Sequence, residues 1–581
     1  MNPTGASRIE SLSRWRLPPE MPFAVMRELQ DFSRIQQRLL FNRDILSAFD
    51  AHAFLLPRPF HSPFELKTMR TAVETILETI DAGGKIVVYG DYDVDGVTAS
   101  SLLVQALRAL GADVSGYIPN RFEEGYGVNA AAIEQLAKRG TALTVTVDCG
   151  IRSPGEVELA KSLGMKMIVT DHHEPGPVLP NASAVINPKR PDDAYPDKDL
   201  AGVGLSYKLA AALLSARPVP GVRAEDWLDF VAIGTICDMV PLRGENRDLA
   251  RAGLELLRKS SRPCIVALAQ VSGVEVPKID SQSIGFSFGP RLNAAGRLET
   301  AMLSFNLMMS ADKDEALRFA EELNVINRQR QAMTEEIQQS VLAGIDENAV
   351  PPIVFAADES YNMGVVGLGA SRITEKLNRP AIVGAISGGE IRASCRSIAG
   401  FSIIDALDSC AGLFVRHGGH PMAAGFTIST ANWDALRERL TLYAEERLSG
   451  KDLRPVKDVE AELKTAYCNE ETVAQIRALE PFGTGNREPL FLLRAVRVKS
   501  AQLIGKDKTH LRLEVADGND RALQAIAFRQ GPRIPPVGAL LDLLFGLDIN
   551  EFQGKRSIQL RVVDFRTAEE RAAKPDVPLS G

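Results

Sequence analysis

Between residues 84 and 240 the chain alternates nearly continuous apolar runs with helical patterns. KIVVYG (85–90) precedes TASSLLVQALRALG (98–111), TVTVD (144–148) precedes EVELAKSLG (156–164), and MKMIVTD (165–171) follows. Strands that read apolar on both faces and alternate with helices predict a parallel sheet covered on both sides. The loops leaving the strand C-termini form the ligand crevice of such a sheet. A polar helical stretch over 311–345 bridges this block to a second one, 351–446, which restarts with PPIVFAA, continues through RPAIVGAI and ends in the Gly-rich HGGHPMAAGF. It predicts a second, smaller α/β domain.

From about 455 to 566 the pattern changes to five short strands (FLLRAVRVKSAQLI, HLRLEVAD, LQAIAF, LLDLLFGLDI, SIQLRVVDF) separated by Gly, Asp and Pro turns. Five such runs predict a small barrel of the oligonucleotide-binding type. The expected order is an N-terminal segment (1–54), an α/β catalytic domain (55–245), a helical connecting region (246–345), the smaller α/β domain (346–450), the barrel (455–566) and a tail (567–581). There is no internal repeat.

At 581 residues the chain exceeds what one core supports, and its 45% hydrophobic and 24% charged content is ordinary for globular domains. It has no apolar run of about 18 residues that would span a bilayer, and its N-terminus lacks the apolar core of a secretory signal. A cytoplasmic protein with no membrane partner is expected. Six scattered cysteines without a C-x-x-C pair fit a reducing compartment. The net charge of −7 excludes a generally basic nucleic-acid-coating protein. Residues 451–581 are nearly balanced, with 21 Lys and Arg against 19 Asp and Glu, so contact with a polyanion would be local.

Candidate chemistry concentrates where apolar runs end. GDYDVDG (90–96) places Asp91, Asp93 and Asp95 at alternate positions, on one face if the backbone is extended. Three carboxylates that close are tolerable around cations or in open solvent. A calcium loop of the EF-hand type is excluded, because its twelfth position, which must be Glu, is Leu102. Asp148 ends TVTVD, Asp171, His172 and His173 follow MKMIVT, and Asp238 follows AIGTIC. A lone Asp at such a position is commonly a cap or turn residue, whereas Asp with His in one region is the mixed oxygen and nitrogen set suited to manganese-like ions. Cys149 and Cys237 are expected on the opposite side of extended strands from Asp148 and Asp238, which leaves them out of any ligand set.

DYDVDG, DCG, DHH and CDMVP, in that order and spacing, resemble the four motifs of the DHH phosphoesterase superfamily. GPRLNAAGR (289–297), MGVVGLGASRITEKLNRPAIV (363–383), the RASCRS segment and HGGHPMAAG (417–425) resemble the connecting region and DHH-associated domain of its RecJ family, single-strand-specific 5′-to-3′ exonucleases. PFGTGNREPLF (481–491) is similar to the start of that family's oligonucleotide-binding domain.

The resemblance implies two divalent cations, Mn2+ with Mg2+ as the other candidate, held by Asp91, Asp93, Asp95, Asp148, His172 and Asp238. It makes Asp93, Asp148 and His173 the residues closest to the reaction, with Asp148 bridging and His173 facing the scissile phosphate. It also implies substrate contacts by Arg291, Asn293, Arg297, Ser371, Arg372, Arg396, His417, Gly418, Gly419 and His420. The implied substrate is single-stranded DNA, hydrolysed to mononucleotides in repair and recombination, with a single-strand-binding protein and a helicase as candidate partners. A phosphodiesterase or pyrophosphatase acting on a small nucleotide, and an inactive DHH scaffold, are the alternatives. The oligomeric state is left open.

Overall fold

The computed structural model describes residues 11–573 except 122, 123, 126, 347, 348, 519, 520 and 553, together with 576 and 577. A short strand, β1 (Arg14–Arg16), precedes the first α/β unit. That unit carries β2 (Lys85–Gly90), β3 (Val114–Tyr117), β4 (Thr141–Val147), β5 (Lys166–Thr170) and β6 (Ala184–Ile186), in the order β3-β2-β4-β5-β6 with every pairing parallel. The apolar runs read from the sequence form β2, β4 and β5. Helices Val94–Ala109 and Gly202–Ala216 bury most of their residues against this sheet, as expected of crossovers that cover a parallel sheet.

The second α/β unit holds β7 (Val354–Asp358), β8 (Ala381–Ser387), β9 (Glu390–Arg396), β10 (Phe414–His420) and β11 (Ala423–Ser429), in the order β10-β11-β9-β8-β7. Only β7 and β8 pair in parallel, across the helix Val366–Leu377. HGGH is therefore part of an edge strand rather than a loop. Gly419 has φ of 150°, and a Cβ there would collide with Ala424 on the facing strand.

A single helix, Lys313–Ala343, joins the two units; at 1.5 Å per residue its 31 residues span about 46 Å. Ala316, Ala320, Leu323 and Ile326 belong to the first unit's core, whereas Ile337 and Val341 belong to the second's. The polar sequence hid this because each half buries a different stripe.

After β12 (Val456–Asp458) and β13 (Ala461–Glu462), strands β14 (Phe491–Ile504), β15 (His510–Ala516), β16 (Ala522–Ala527), β17 (Leu540–Phe552) and β18 (Lys555–Thr567) close a barrel in the order β14-β15-β16-β18-β17-β14. These are the five runs read from the sequence, with the topology of an oligonucleotide-binding fold. The N-terminal segment is fastened to this barrel. β1 pairs with β12, the buried Trp15 indole donates to Asp564 at 3.1 Å, and Arg43 donates to Asn486 at 2.7 Å. The expected tail returns to the same place, with Val577 N donating to the Trp15 carbonyl at 2.8 Å.

Candidate metal centre and nucleic-acid cleft

The acidic motif does not continue β2 as extended chain. Asp93 caps the helix Val94–Ala109, its carboxylate accepting from Gly96 N at 3.1 Å, and Asp95 lies in the first helical turn. The alternate-position geometry expected from sequence is thus replaced by a strand, turn and helix N-terminus, which is favourable for carboxylates. Asp95 is buried and accepts from Gly202 N at 2.7 Å and Val203 N at 2.8 Å. Asp148, just past β4, has φ of 62°, and Asp238 ends the helix Leu228–Asp238. Asp238 and Cys237 therefore sit on a helix, correcting the extended-strand placement. Cys237 is in contact range of the Ile284 carbonyl, and Cys149 of the Tyr89 carbonyl.

These elements bring the predicted ligands together. Ligand atoms of Asp91, Asp93 and Asp148 lie within 4.8 Å of one another, as do those of Asp95, His172 and Asp238, and those of Asp148, His172 and His173. His172 Nε2 is 3.0 Å from Asp148 Oδ1, 3.7 Å from Asp238 and 3.9 Å from Asp95. Both His172 ring nitrogens, Asp148 Oδ1 and Asp91 Oδ1 are buried without a hydrogen bond. Burial, then the Asp93 charge, pushes Asp91 up to about 8 and Asp238 up to about 7. Burial and neighbouring carboxylates push Asp95 and Asp148 well above the usual range, and burial with the His173 charge pushes His172 down to about 3. Converging, unpartnered oxygen and neutral imidazole donors fit hard divalent cations and are costly without them.

His173 stands apart from this pattern. Its Nδ1 lies 2.7 Å from Asp171 Oδ1, and Asp171 also accepts from His173 N and Ile151 N. Burial alone would lower the His173 pKa, but the Asp171 hydrogen bond outweighs it and raises it. An Nδ1–H held by Asp171 turns Nε2 outward. Asp171 was noticed in the sequence only as a neighbour, since nothing there showed that it would orient His173.

Beside the cluster opens a cleft of about 900 Å³ lined by Met239, Phe286, Asn293, Arg297, Arg330 and the 482–485 turn, among others. Leu242 N donates to the Thr484 carbonyl at 2.8 Å, tying the start of the barrel domain to the chain just past Asp238. Arg297 makes no hydrogen bond or ion pair among the described residues. Burial, then Arg121 and Arg330, pushes it down to about 10, with Arg396 adding to the effect. Asn293 lines the same cleft, Arg372 is exposed on the helix Val366–Leu377, and Ser371 returns its hydroxyl to the Gly367 carbonyl. Arg396 donates to Ser394 Oγ and the Cys395 carbonyl.

Arg291 departs from expectation. It spends its guanidinium on Asn324 and the Ser287 and Val271 carbonyls, a brace between helices rather than a phosphate grip. His417 pairs with Asp408 at 2.9 Å and lines a separate hollow with Gly418, while Gly419 and His420 are exposed. Arg330 and the exposed Phe286, in a π-helical turn, line the cleft, and Arg121 stands near Arg297; all three escaped sequence reading because only the fold brings them together.

The chain matches the DHH family N-terminal domain over residues 85–235, the DHHA1 domain over 350–446 and the RecJ OB domain over 459–564. It is 37% identical to the single-stranded-DNA-specific exonuclease RecJ of Bacillus subtilis, over 97% of this chain and 72% of that protein. It is 36% identical to that of Escherichia coli, over 85% and 90%. The structure of Thermus thermophilus RecJ in complex with Mn2+ superposes with a TM-score of 0.80 at 30% identity, covering 95% of this chain and 79% of that one.

Proposed function

The chain belongs to the RecJ family of DHH phosphoesterases, and on that premise we propose that it degrades single-stranded DNA from its 5′ end, releasing mononucleotides by metal-dependent phosphodiester hydrolysis. The carrying observation is the convergence of unpartnered carboxylate and imidazole donors beside a cleft with an unpaired, half-buried arginine. Its work lies in DNA repair and recombination, in the cytoplasm.

Asp91, Asp93, Asp95, Asp148, His172 and Asp238 would hold two divalent cations, Mn2+ or Mg2+, the ions named for related structures. Such a pair supplies Lewis-acid activation of water and neutralises charge on the phosphoryl oxygens and leaving group. Asp95, fixed by two backbone amides, and Asp148, fixed in its left-handed turn, keep the donors in register. His173, oriented by Asp171, presents Nε2 toward the phosphate. Arg297 and its cationic neighbours Arg121, Arg330, Arg372 and Arg396 neutralise the backbone as a strand threads the cleft, and Asn293 adds a polar contact. The barrel tracks the strand beyond it. A helicase that exposes single strands, and a protein that coats them, are the partners this activity calls for.

A small-nucleotide phosphodiesterase would leave the barrel and cleft without work, and an inactive scaffold would not keep every donor. Digestion of end-labelled single-stranded and duplex DNA with Mn2+, Mg2+ or chelator tests the reading. Release of 5′-terminal mononucleotides from single strands with metal is expected. Hydrolysis of dinucleotides alone would overturn it.

A further inference from the structure

β7 is the outer strand of the second sheet; among the described residues nothing pairs with its other edge. Val354 N donates to the Pro380 carbonyl at 2.9 Å, so by the alternation of a strand the N–H and C=O of Phe355 and Ala357 point away from the sheet. Neither group has a hydrogen bond among the described residues.

That edge does not face open solvent. It forms the floor of a groove of about 890 Å³, walled on one side by the end of the Lys313–Ala343 helix and on the other by the helix Trp433–Leu448. Apolar surface is available inside it. Trp433 stands edge-on to Phe355 with ring centroids 6.0 Å apart, and Leu442 is 60% exposed. The rim is acidic: Asp358, Asp434, Glu438 and Glu445 face one cation, Arg437, which is already paired with Asp434 at 3.3 Å. Nucleic acid is therefore repelled here, on a face that none of the residues assigned to the cleft occupies.

Proteins usually blunt an exposed edge with a bulge, a proline or an inward charge. Here β7 pairs in unbroken register over five residues and keeps its outward amides and carbonyls on the floor of a groove with both apolar and acidic walls. We propose that this groove is a docking site for an extended, basic and apolar segment of a partner protein, which adds to the sheet as a sixth strand beside β7. Main-chain hydrogen bonds to Phe355 and Ala357 supply affinity, alternate apolar side chains enter the groove, and Lys or Arg side chains meet the acidic rim.

The test uses the full-length protein and an end-blocked peptide alternating Val or Ile with Lys over about nine residues, roughly 30 Å of extended chain. Binding is followed by fluorescence anisotropy, and amide protection by hydrogen exchange. Saturable binding that weakens with salt, with new protection of the Phe355 and Ala357 amides, is expected. The double charge reversal Glu438→Lys/Glu445→Lys should weaken it at least about tenfold while leaving exonuclease activity unchanged. Ala357→Pro, which removes an outward N–H, should also abolish it. The proposal is overturned by absence of binding, by binding without protection of those two amides, by equal binding of a Glu-substituted peptide, or by concentration-dependent protection without peptide, which would mark a second copy of this chain as the occupant.

Discussion

Gly202 lies so close to Asp148 that a Cβ at that position would stand 2.7 Å from the Asp148 Cβ and 2.8 Å from Oδ1. The same residue donates its N–H to Asp95 at 2.7 Å, so one glycine sets the spacing between two of the proposed ligands. Gly202→Ala favours the helix it begins by about 1 kcal/mol but must push the carboxylate aside. Expected are a loss of about 100-fold in hydrolysis and reduced manganese stoichiometry by calorimetry, with thermal stability in chelator nearly unchanged. Full stoichiometry with full activity would show that Asp148 does not need this position.

The proposed ligand cluster is costly in the absence of metal, and its pH dependence has a definite sign. Asp91 titrates at about 8 and Asp238 at about 7 in the folded protein, both above the unfolded carboxylate range, so the folded state binds the extra protons. His172, pushed down to about 3, contributes the opposite slope, but only below its unfolded value near 6.5. Between about pH 6.5 and 8 the carboxylates and the raised His173 act in one direction, and metal-free stability must fall as pH rises. Calorimetric Tm values in chelator should decline over that window, and saturating Mn2+ should flatten or reverse the trend. A rising Tm in chelator would contradict the buried, mutually repelling cluster.

How much of this was legible beforehand differs from element to element. β2 and the five barrel strands follow directly from apolar runs and turns, because period and punctuation are local properties. The proposed ligands were legible as residues that end apolar runs, but their geometry was not. The motif turns into a helix at Asp93, and Asp238 closes one, so alternation along an extended strand could not describe them. Arg291 and Arg297 lie six positions apart on one helix in equally basic-looking sequence. Only packing sends the first to brace Asn324 and leaves the second unpaired in the cleft.

Asp171 has both oxygens engaged, and one of them holds His173 Nδ1. Asp171→Asn keeps the shape but removes the charge that raises His173, so the ring should titrate at lower pH, as read by NMR in metal-free protein. Turnover should fall about 10–100-fold, chiefly in kcat, with manganese stoichiometry retained. Loss of the metal instead would make Asp171 part of the ligand support rather than an orienter of His173.

The unpaired arginine gives the prediction with two opposed readouts. Arg297 is half-buried beside Arg121, Arg330 and Arg396, and desolvation, then those neighbouring charges, push its pKa down to about 10. A desolvated charge without a partner costs stability, and the site retains it only if an anion arrives to complete it. Replacing it with methionine keeps much of the volume and removes the charge. Without DNA, Arg297→Met should therefore be more stable than the parent by roughly 1–3 kcal/mol in denaturant unfolding. With single-stranded DNA, affinity should drop, and the slope of log affinity against log salt should become shallower by about one, as for one lost phosphate contact. Cleavage should fall with affinity while duplex remains a poor substrate, since the walls of the cleft are unchanged. A variant that lost stability would show that packing of the Arg297 side chain outweighs the cost of its unpaired charge. One that gained stability yet bound DNA with an unchanged salt slope would place the phosphate path elsewhere, along Arg372 and Arg396.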